Sequence, residues 1–318
     1  MRVLKELGMI DFKEPFTRLL TQGMVCKETM TCPEHGYLYP EEAARNQDNT
    51  LTCTKCGNAV ELGRVIKMSK SKKNVVDPKI LLEKYGADVT RLFCLFAAPP
   101  ERDLEWSEDG VEGSNRFINR VWRLAIGCID RLGTVAPYTQ SAAGLASDDV
   151  KKLYIKANQT IKKVTEDIDK SFHFNTAISA VMELVNALSE VDLDEADDQM
   201  KQVCLFSIEN IILLLSPIVP HFCEELYGRL KRASGEASIL EQPWPVYRED
   251  SLVSDEMLVV VQVNGKLRSK FTIAADTDED VIKENALADR KIQNHVGGKE
   301  PKKIILIRKK QTLVNIVV

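Results

Sequence analysis

The sequence predicts a mainly α-helical protein that also carries small α+β pieces. Three observations lead to this fold class: two amphipathic stripes with helical spacing, one segment that is apolar on nearly every side, and one hairpin signal near the carboxyl end. With 318 residues, 44% hydrophobic and 28% charged, the chain is long enough for two or three domains with their own cores. Its composition excludes a disordered or collagen-like protein.

The central helices are predicted from the spacing of apolar residues. Two sets of apolar residues each advance by steps of three and four residues. The first set is Leu153, Ala157, Ile161, Val164 and Ile168, and the second is Phe174, Ile178, Val181, Val185 and Leu188. Residues 200–215 are apolar nearly all round and precede Pro217, which predicts the buried central helix of a bundle. Asp77 and Pro78 predict a further helix start, and Gly86 predicts the end of that helix.

The end of the chain predicts a separate small α+β domain. Residues 257–273 form two strand-like runs around Asn264-Gly265, the strongest short-range hairpin signal. A helix is expected over about 278–287, and strands are expected over 303–307 and 312–318.

Charge and hydropathy limit the classes of function. The formal net charge is -4, so any site for a polyanion must be a local basic patch. The longest apolar stretch, residues 205–219, is interrupted by polar residues and is shorter than the roughly 20 residues that span a bilayer. The first residues contain no apolar run long enough for a secretory signal, which predicts a cytoplasmic protein with reduced cysteines.

Four residues have the spacing of a zinc site. Cys32 and His35 form one ligand pair, and Cys53 and Cys56 form a second pair. Since all four positions are filled by the protein, the expected metal is structural. Cys26 is a rival ligand, and a flexible loop with unpaired thiols is the alternative. The remaining cysteines are interpreted as small buried hydrophobic side chains: Cys94, Cys128, Cys204 and Cys223.

A basic loop follows the cysteine pairs. Its residues are Lys67, Met68, Ser69, Lys70 and Ser71. Two flexible ammonium groups three residues apart, beside small hydroxyl residues, can surround a polyphosphate. Taken alone, the loop is equally compatible with a solvated basic surface.

A series of sequence blocks extends the pattern well beyond this loop. The blocks are GMVCKET, KMSKSKKNVVDP, EKYGADVTRLF, APPERDLEWSEDGVEGSNRFINRVWRL, FNTAISAVMELVNAL, LLLSPIVPHFCEELY and VVVQVNGKLRSK. Together they cover essentially the whole chain and resemble the bacterial leucyl-tRNA synthetases, a family of class I aminoacyl-tRNA synthetases. Valyl, isoleucyl and methionyl enzymes share the loop and the bundle, but DLEWSEDGVEG and VQVNGK resemble the leucine family most closely.

The resemblance implies a division into three parts. Residues 1–111 are expected to be the remnant of a Rossmann-type catalytic domain, with a zinc-knuckle insert at about 26–60 and the KMSKS loop at 67–71. Residues 112–250 are expected to be a helical bundle that binds the tRNA anticodon region, and 255–318 a small tRNA-binding domain. We call residues 26–60 the cysteine module and residues 67–71 the signature loop.

The resemblance also implies roles for the signature loop. In the family this loop closes over ATP, which carries Mg²⁺, and its lysines stabilise the phosphates while leucyl-adenylate forms. That role is carried onto Lys70 and Lys67, with Lys70 favoured, while Met68, Ser69 and Ser71 complete the nucleotide-binding loop. The stabilisation is electrostatic, because charge develops as pyrophosphate leaves.

The partner implied by the resemblance is tRNA(Leu). Arg116, Arg120 and Arg123 share one helical face that can follow a phosphate backbone, with a merely solvated face as an equal alternative. In the hairpin, Lys266, Arg268 and Lys270 are expected on one face of the second strand. Apolar side chains are expected on the opposite face: Leu267, Phe271 and Ile273.

A second basic segment supports the same partner. Residues 299–310 contain six basic residues, including Lys302 and Lys303, against the single acidic residue Glu300. Contact with tRNA is favoured, and protection of an exposed sheet edge by lysines is the competing explanation.

The sequence departs from the family in one decisive respect. A complete synthetase of this class needs a His-x-Gly-His element, in which two residues separate the histidines. No two of the four histidines of this sequence have that spacing: His35, His173, His221 and His295. No counterpart of the aminoacyl pocket or the editing domain is found. The chain alone is therefore expected to be inactive, with residues 1–24 exposing apolar surface.

The amino-terminal part of the synthetase is accordingly an expected partner. It is either a separate subunit or the rest of a truncated reading frame, and truncation or an internal start is favoured because the chain begins within a predicted helix. Two alternatives have no catalytic role: a stand-alone tRNA-binding module, and, as the weakest, a zinc-dependent adaptor for other proteins.

Overall fold

A computed structural model describes residues 1–16, 19–132, 135–231, 238–252, 256–274, 277–297, 301–308 and 312–317. These residues form two compact units. The first comprises Met1–Gln140 and Lys156–Tyr247, and the second comprises Ser141–Ile155 and Arg248–Val318. The expectation of a mostly helical chain with small sheets is confirmed.

The first unit begins with a short helix and the cysteine module. Helix α1 (Arg2–Glu6) has no side-chain cap and buries none of its residues. Strand β1 (Val25–Cys32) pairs in antiparallel fashion with β2 (Gly36–Leu38), and β3 (Ala43–Arg45) pairs likewise with β4 (Leu51–Cys53).

The module is richer in strands than its composition predicted. Strand β5 (Glu61–Lys67) pairs with the other edge of β1 and leads directly into the signature loop. Three-residue strands are too short to show an alternating pattern in sequence. The module's own core is small, with Cys32, Leu38 and Cys53 as its buried members.

Helix α2 (Pro78–Phe96) follows the signature loop and begins where the sequence predicts. The Asp77 carboxylate accepts a hydrogen bond of 2.8 Å from the backbone N–H of Lys79, which is an N-cap. Gly86 has a φ of 81° and interrupts the helix, so the predicted end is confirmed and a second helical stretch follows it.

Most of the buried apolar residues of the first unit lie in the helices of the bundle. Strand β6 (Leu104–Glu105), which runs parallel to β1, leads into α3 (Glu108–Leu132). The chain continues with α4 (Asp148–Glu166), α5 (Phe174–Ser189), α6 (Asp198–Leu215) and α7 (Pro220–Leu230). Helix α6 packs against α3, α5 and α7, which confirms it as the buried central helix. No helix of the described residues is long and apolar enough to span a bilayer.

Polar contacts attach α2 to the amino terminus of α7. Arg91 donates hydrogen bonds of 2.9 Å to the carbonyl groups of Pro217 and Ile218. The Asp88 carboxylate accepts a hydrogen bond of 2.7 Å from the backbone N–H of Phe222, one of the N–H groups that α7 leaves unpaired. The helix that follows the signature loop is thus fixed to the bundle.

The second unit contains the predicted α+β domain. Strands β7 (Glu256–Val263) and β8 (Lys266–Ala274) form the hairpin, and Asn264 and Gly265 both have positive φ, as a two-residue turn of this sequence requires. Helices α8 (Glu279–Ala288) and α9 (Arg290–Val296) precede β9 (Lys303–Arg308) and β10 (Thr312–Val317). The sheet order is β8-β7-β10-β9, with β7 and β10 parallel.

A carboxylate organises the segment that precedes the hairpin. Arg248 forms an ion pair of 2.8 Å with Asp250 and, with a hydrogen bond from Ser251, lowers the pKa of the Asp250 carboxyl to about 2. The buried hydroxyl of Ser251 also accepts a hydrogen bond of 3.1 Å from the backbone N–H of Ala142. Ionised Asp250 therefore holds a turn that joins two distant parts of the sequence.

Candidate metal centre and signature loop

The two cysteine-containing ligand pairs meet in space. One ligand atom from each of Cys32, His35, Cys53 and Cys56 lies within 4.8 Å of all the others. The Cys32 and Cys56 sulfurs are 3.5 Å apart, and His35 Nδ1 lies 3.7 Å from the Cys32 sulfur and 3.8 Å from the Cys53 sulfur. The strand β1 ends at Cys32 and β4 ends at Cys53, so each pair sits in the turn that follows a strand.

These distances fit a tetrahedral zinc ion. Zinc bonds of about 2.3 Å to sulfur and 2.0 Å to nitrogen require donor separations of about 3.5 to 3.8 Å. Cys53 and Cys56 supply two soft thiolates from one turn, and the other turn supplies the thiolate of Cys32 and the imidazole of His35. These are the donors that zinc prefers. Cys26, the rival ligand, lies outside this group, and burial raises the pKa of its thiol.

The two thiols of the second turn have different acidities. The backbone N–H groups of Lys55 and Cys56 lower the pKa of the Cys53 thiol. The backbone N–H of Asn58 also lowers the pKa of the Cys56 thiol. Burial and hydrogen bonds with Cys32 and Cys53 outweigh this effect and raise the pKa of Cys56 to about 11. A bound cation favours the thiolate form of both, so metal binding releases protons here.

The two lysines of the signature loop differ in their contacts from the two lysines directly after it. Lys67 and Lys70 are exposed and have no ion pair or hydrogen bond from their side chains to any described residue. Lys72 and Lys73, directly after the loop, are half-buried and engaged with the cysteine module. The two lysines assigned to phosphate are therefore the two that remain available to a ligand.

A buried asparagine holds the backbone of the loop. Asn74, only 3% exposed, accepts a hydrogen bond of 2.9 Å from the N–H of Ser69 and donates one of 2.9 Å to the carbonyl of Lys27 in β1. The Ser69 hydroxyl accepts a hydrogen bond from the N–H of Lys72 and caps a 3-10 turn at Lys70–Lys72. Sequence analysis did not single out Asn74, because its role depends on a strand far away in sequence.

Three further residues that the sequence did not indicate contact the engaged lysines. Lys72 donates a hydrogen bond of 2.7 Å to the hydroxyl of Tyr37 and lies 4.6 Å from the centre of that ring. Lys73 forms an ion pair of 3.2 Å with Glu42 and lies 5.2 Å from the centre of the Tyr39 ring. The loop is thereby attached to residues that lie between the two ligand pairs.

The arginine face lines a groove beside helix α3. Arg116, Arg120 and Arg123 are exposed on α3 and line a cavity of about 1040 Å³ together with Phe93 and Phe117. No ion pair to another described residue neutralises these arginines, although Arg120 lies 5.7 Å from the centre of the Phe117 ring. The predicted spacing is thus realised as a positively charged groove with an apolar floor.

The hairpin departs from the predicted pattern. Lys266, Arg268 and Lys270 are all exposed, but Leu267, expected on the core face, is 52% exposed. The pairing jumps from Val261–Ser269 to Gln262–Leu267, so Arg268 is an extra residue in a β-bulge.

The extra residue reverses which face of the strand the preceding residues occupy. The predicted core position of Leu267 is wrong for this reason. Phe271 and Ile273, on the other side of the bulge, pack against the core as predicted. In the second basic segment, Lys302 and Lys303 are exposed, whereas Lys299, Lys309 and Lys310 lie outside the described residues.

The cysteines without metal-ligand spacing are mostly buried, as predicted. Burial raises the pKa of Cys128 to about 11 and that of Cys204 to about 12, and it also raises the pKa of Cys223 well above its usual value. The prediction is wrong for Cys94. It is exposed on α2, although its neighbours Leu92 and Phe93 are buried core residues. An apolar sequence context does not fix which face of a helix a residue occupies.

Comparisons with known proteins agree with this geometry. The family described as the anticodon-binding domain of tRNA ligase matches residues 151–283, and that described as tRNA synthetases class I (I, L, M and V) matches residues 60–107. Leucine–tRNA ligases of Desulforapulum autotrophicum and Desulfatibacillum aliphaticivorans are 63% and 57% identical to the chain over 318 and 317 residues. Over its whole length the chain matches the carboxy-terminal portion of leucyl-tRNA synthetases.

The match covers a carboxy-terminal portion of these ligases. The alignments include 100% of this chain and 36% of each of the two relatives. The chain is also similar to a crystal structure of the ternary complex of Agrobacterium radiobacter K84 LeuRS with tRNA and LeuAMS, at 26% identity and a TM-score of 0.65. That similarity covers 99% of this chain and 34% of the crystallised one, so the sequence-based assignment to the leucine family is confirmed.

Proposed function

We propose that the chain supplies the phosphate-stabilising loop and the tRNA-binding surfaces of a leucine–tRNA ligase. The remaining catalytic machinery comes from the amino-terminal part of the enzyme, which is a partner of this chain or continuous with it. The complete enzyme attaches leucine to tRNA(Leu) through a leucyl-adenylate made from ATP and Mg²⁺, in the cytoplasm. In this proposal residues 1–111 belong to a Rossmann-type catalytic domain, 112–250 to the anticodon-binding bundle and 255–318 to a tRNA-binding domain.

The availability of Lys67 and Lys70 is the observation that carries the catalytic part. Both ammonium groups are exposed, whereas Lys72 and Lys73 beside them are already engaged. A lysine without a competing carboxylate can place its full charge on phosphate oxygens as pyrophosphate leaves. Met68, Ser69 and Ser71 shape the loop that carries them, and Asn74 and β1 fix its base.

Zinc in the cysteine module is the structural cofactor of the proposal. Cys32, His35, Cys53 and Cys56 hold the ion, and it supplies fold stability because four protein ligands leave no position for a substrate. The parallel pairing of β1 with β6 supports the Rossmann-type assignment, since parallel strands are typical of such domains.

Three basic surfaces are proposed to contact tRNA phosphates. The first is the groove lined by Arg116, Arg120 and Arg123, which form no ion pair with a described residue although Glu105 also lines the groove. The other two lie in the second unit: Lys266, Arg268 and Lys270 near the hairpin turn, and Lys302 and Lys303 at the start of β9. Phosphate contacts of this kind position a nucleic acid without specifying its sequence.

The test of the catalytic part is reconstitution with the amino-terminal part of a leucine–tRNA ligase. Leucine-dependent exchange between ATP and pyrophosphate is measured for the parent chain and for Lys70→Ala. Removing one preorganised charge from a transition state lowers kcat by about 10²- to 10³-fold. Lys79→Ala is the matched control, because Lys79 is an exposed lysine of α2 outside the loop. Equal exchange rates for the parent and Lys70→Ala would refute the assigned role.

The tRNA part is tested by the salt dependence of binding. Each phosphate contact that is lost reduces the slope of log K against log salt concentration by about 0.7 to 0.9. Replacing Arg116, Arg120 and Arg123 with Gln should therefore weaken binding and flatten this slope, while Arg45→Gln, an exposed arginine in β3, should change neither. An unchanged slope in the triple variant removes the groove from the proposed tRNA contacts.

A further inference from the structure

The cysteine module contacts the end of the signature loop through two separate branches. Each branch starts beside one of the two ligand pairs and ends on a lysine that follows the loop. The branches involve different atoms and different residues, so they are independent observations of the same connection.

The first branch passes through the carboxylate of Glu42. Lys55, which lies between Cys53 and Cys56, donates a hydrogen bond of 2.5 Å to Glu42 Oε1. Glu42 Oε2 accepts a hydrogen bond of 3.2 Å from the ammonium group of Lys73. The carbonyl of Glu42 also accepts bonds of 3.0 and 3.1 Å from the backbone N–H and hydroxyl of Thr54, so both ends of Glu42 are fixed to the second ligand pair.

The second branch passes through the phenol of Tyr37. Tyr37 lies two residues after the ligand His35, in strand β2, and pairs with Thr31 of β1. Its hydroxyl accepts a hydrogen bond of 2.7 Å from Lys72, whose ammonium group also lies 4.6 Å from the centre of the ring. The ring gives this lysine an anchor that does not depend on a carboxylate.

The segment between these contacts needs external support. Lys73 is a non-glycine residue with a φ of 52°, a conformation that costs free energy and persists only when neighbouring contacts hold it. The loop itself contains no residue that is fully buried. Ion pairs and hydrogen bonds at its carboxyl end therefore restrain the loop, in addition to the hydrogen bonds of Asn74 and the pairing of Lys67 with Cys26 of β1.

We infer that Glu42 and Tyr37 are positioning residues that transmit the fold of the metal-bound cysteine module to the signature loop. Glu42 holds Lys73, Tyr37 holds Lys72, and both leave Lys70 and Lys67 available to the nucleotide phosphates. The relevance to catalysis rests on the proposed function, but the mechanical connection itself can be tested on this chain alone.

The primary test compares the full chain loaded with Zn²⁺ and the same chain after chelation. Acetylation of each lysine by an amine-reactive ester is followed by mass spectrometry. Loss of a partly exposed ion pair changes such reactivity by about two- to fivefold, so stripping the metal should raise the rates at Lys72 and Lys73 by this factor and leave Lys70 unchanged. Equal rates at Lys72 and Lys73 in the two states would overturn the inference.

Two variants separate the branches while the metal stays bound. Glu42→Gln should raise acetylation of Lys73 but not of Lys72, and Tyr37→Phe should do the reverse. The matched control is Glu41→Gln, since Glu41 is an exposed neighbour with no side-chain partner among the described residues. Glu42→Asp, which keeps the charge, should restore part of the protection of Lys73.

Cobalt substitution shows whether each variant still forms the metal site. The thiolate absorption of Co²⁺ should be the same in the parent, Glu42→Gln and Tyr37→Phe. In the zinc-loaded double variant, the amide hydrogens of Ser69 and Lys72 should exchange faster than in the parent. Unchanged exchange with an intact cobalt spectrum would mean that the contacts do not hold the loop.

These measurements use neither ATP nor tRNA. If Lys70→Ala leaves pyrophosphate exchange unaffected while Glu42→Gln still releases Lys73, the proposed function fails and the connection stands. If Lys70→Ala abolishes exchange while the zinc-loaded and stripped chains give equal acetylation, the connection fails and the proposed function stands.

Discussion

The cysteine module and most of the helical bundle lie in the same compact unit but are stabilised by different physics. The core cluster of the module contains three buried residues, Cys32, Leu38 and Cys53, of which two are metal-ligand candidates, and the module relies on short strands. The bundle is organised around α6, in which Val203, Ile208 and Ile211 are completely inaccessible to solvent. A segment with so little apolar burial needs another source of free energy, and in the proposed function a zinc ion held by the four candidate ligands is that source.

This difference shows how one compact unit can attach the signature loop to two regions that are stabilised in different ways. The bundle and α2 are fixed by apolar packing and by the contacts of Asp88 and Arg91 with the start of α7. The signature loop lies between this frame and the module, and it is attached to the module mainly by polar contacts. Perturbations of the two regions should therefore have separable consequences.

Removal of the metal should have the largest effect. Apparent binding free energies of structural zinc sites are about 10 to 16 kcal/mol, so chelation or Cys53→Ser should unfold residues 26–60 as a unit. Hydrogen exchange should report complete loss of protection in the module and none in α6. Cys94→Ser, which changes an exposed cysteine outside the ligand group, is the control. Simultaneous loss of protection in α6 would contradict the distinction between the two regions.

A cavity in the bundle should have the opposite pattern. Ile211 is fully buried, and Ile211→Ala should lower the free energy of unfolding by about 2 to 5 kcal/mol. Urea unfolding measures this loss, while the zinc content of the folded variant should equal that of the parent. Leu213→Ala changes a half-buried residue on the same helix and should cost less. A lower zinc affinity in Ile211→Ala would show that the two regions are energetically coupled.

Loss of the N-cap between the two regions should have a smaller, local effect. Asp77 accepts the N–H of Lys79 at the start of α2, and Asp77→Ala should destabilise this helix by about 1 kcal/mol. Faster hydrogen exchange in residues 79–85 measures the change. Asp77→Asn retains a capping side chain and should stay close to the parent. If Asn and Ala give the same exchange rates, the side-chain cap does not stabilise the helix.

The smallest effect is expected for a titration in the second unit. Asp250 has a pKa lowered to about 2, so its ionised form stabilises the folded state. The stabilisation is present above the ordinary carboxyl pKa of about 4 and is lost as pH falls through about 2. Asp250→Asn should therefore be less stable than the parent at neutral pH, and the difference should vanish in strong acid. Thermal unfolding at a series of pH values tests this; a constant difference would assign the effect to shape instead of charge.

Much of the candidate site could be predicted from local sequence. Paired Cys and His at short spacing identify ligands because one turn brings both donors to the same side, and the structure places all four within reach of one ion. The boundaries at Asp77 and Gly86 and the hairpin at Asn264-Gly265 were also predicted, since caps and turns depend on the residues next to them.

The errors share one cause, which is non-local geometry. The bulge at Arg268 exposes Leu267, and no neighbouring residue announces it. Cys94 is exposed although its neighbours are apolar, because the face it occupies depends on how α2 packs. The strands β3 and β4 are too short for a period to be visible.

The sequence by itself determined the family, the candidate ligand set, the basic loop and the main helices and hairpin, because each of these is encoded by residues close together in the chain. Only the tertiary structure decided which lysines of the loop region are available and which are held. That choice depends on Tyr37 and Glu42, which lie about thirty residues before the lysines they contact. Contacts over such separations are set by how strands pair and turns fold, and a pattern of neighbouring residues contains no record of them.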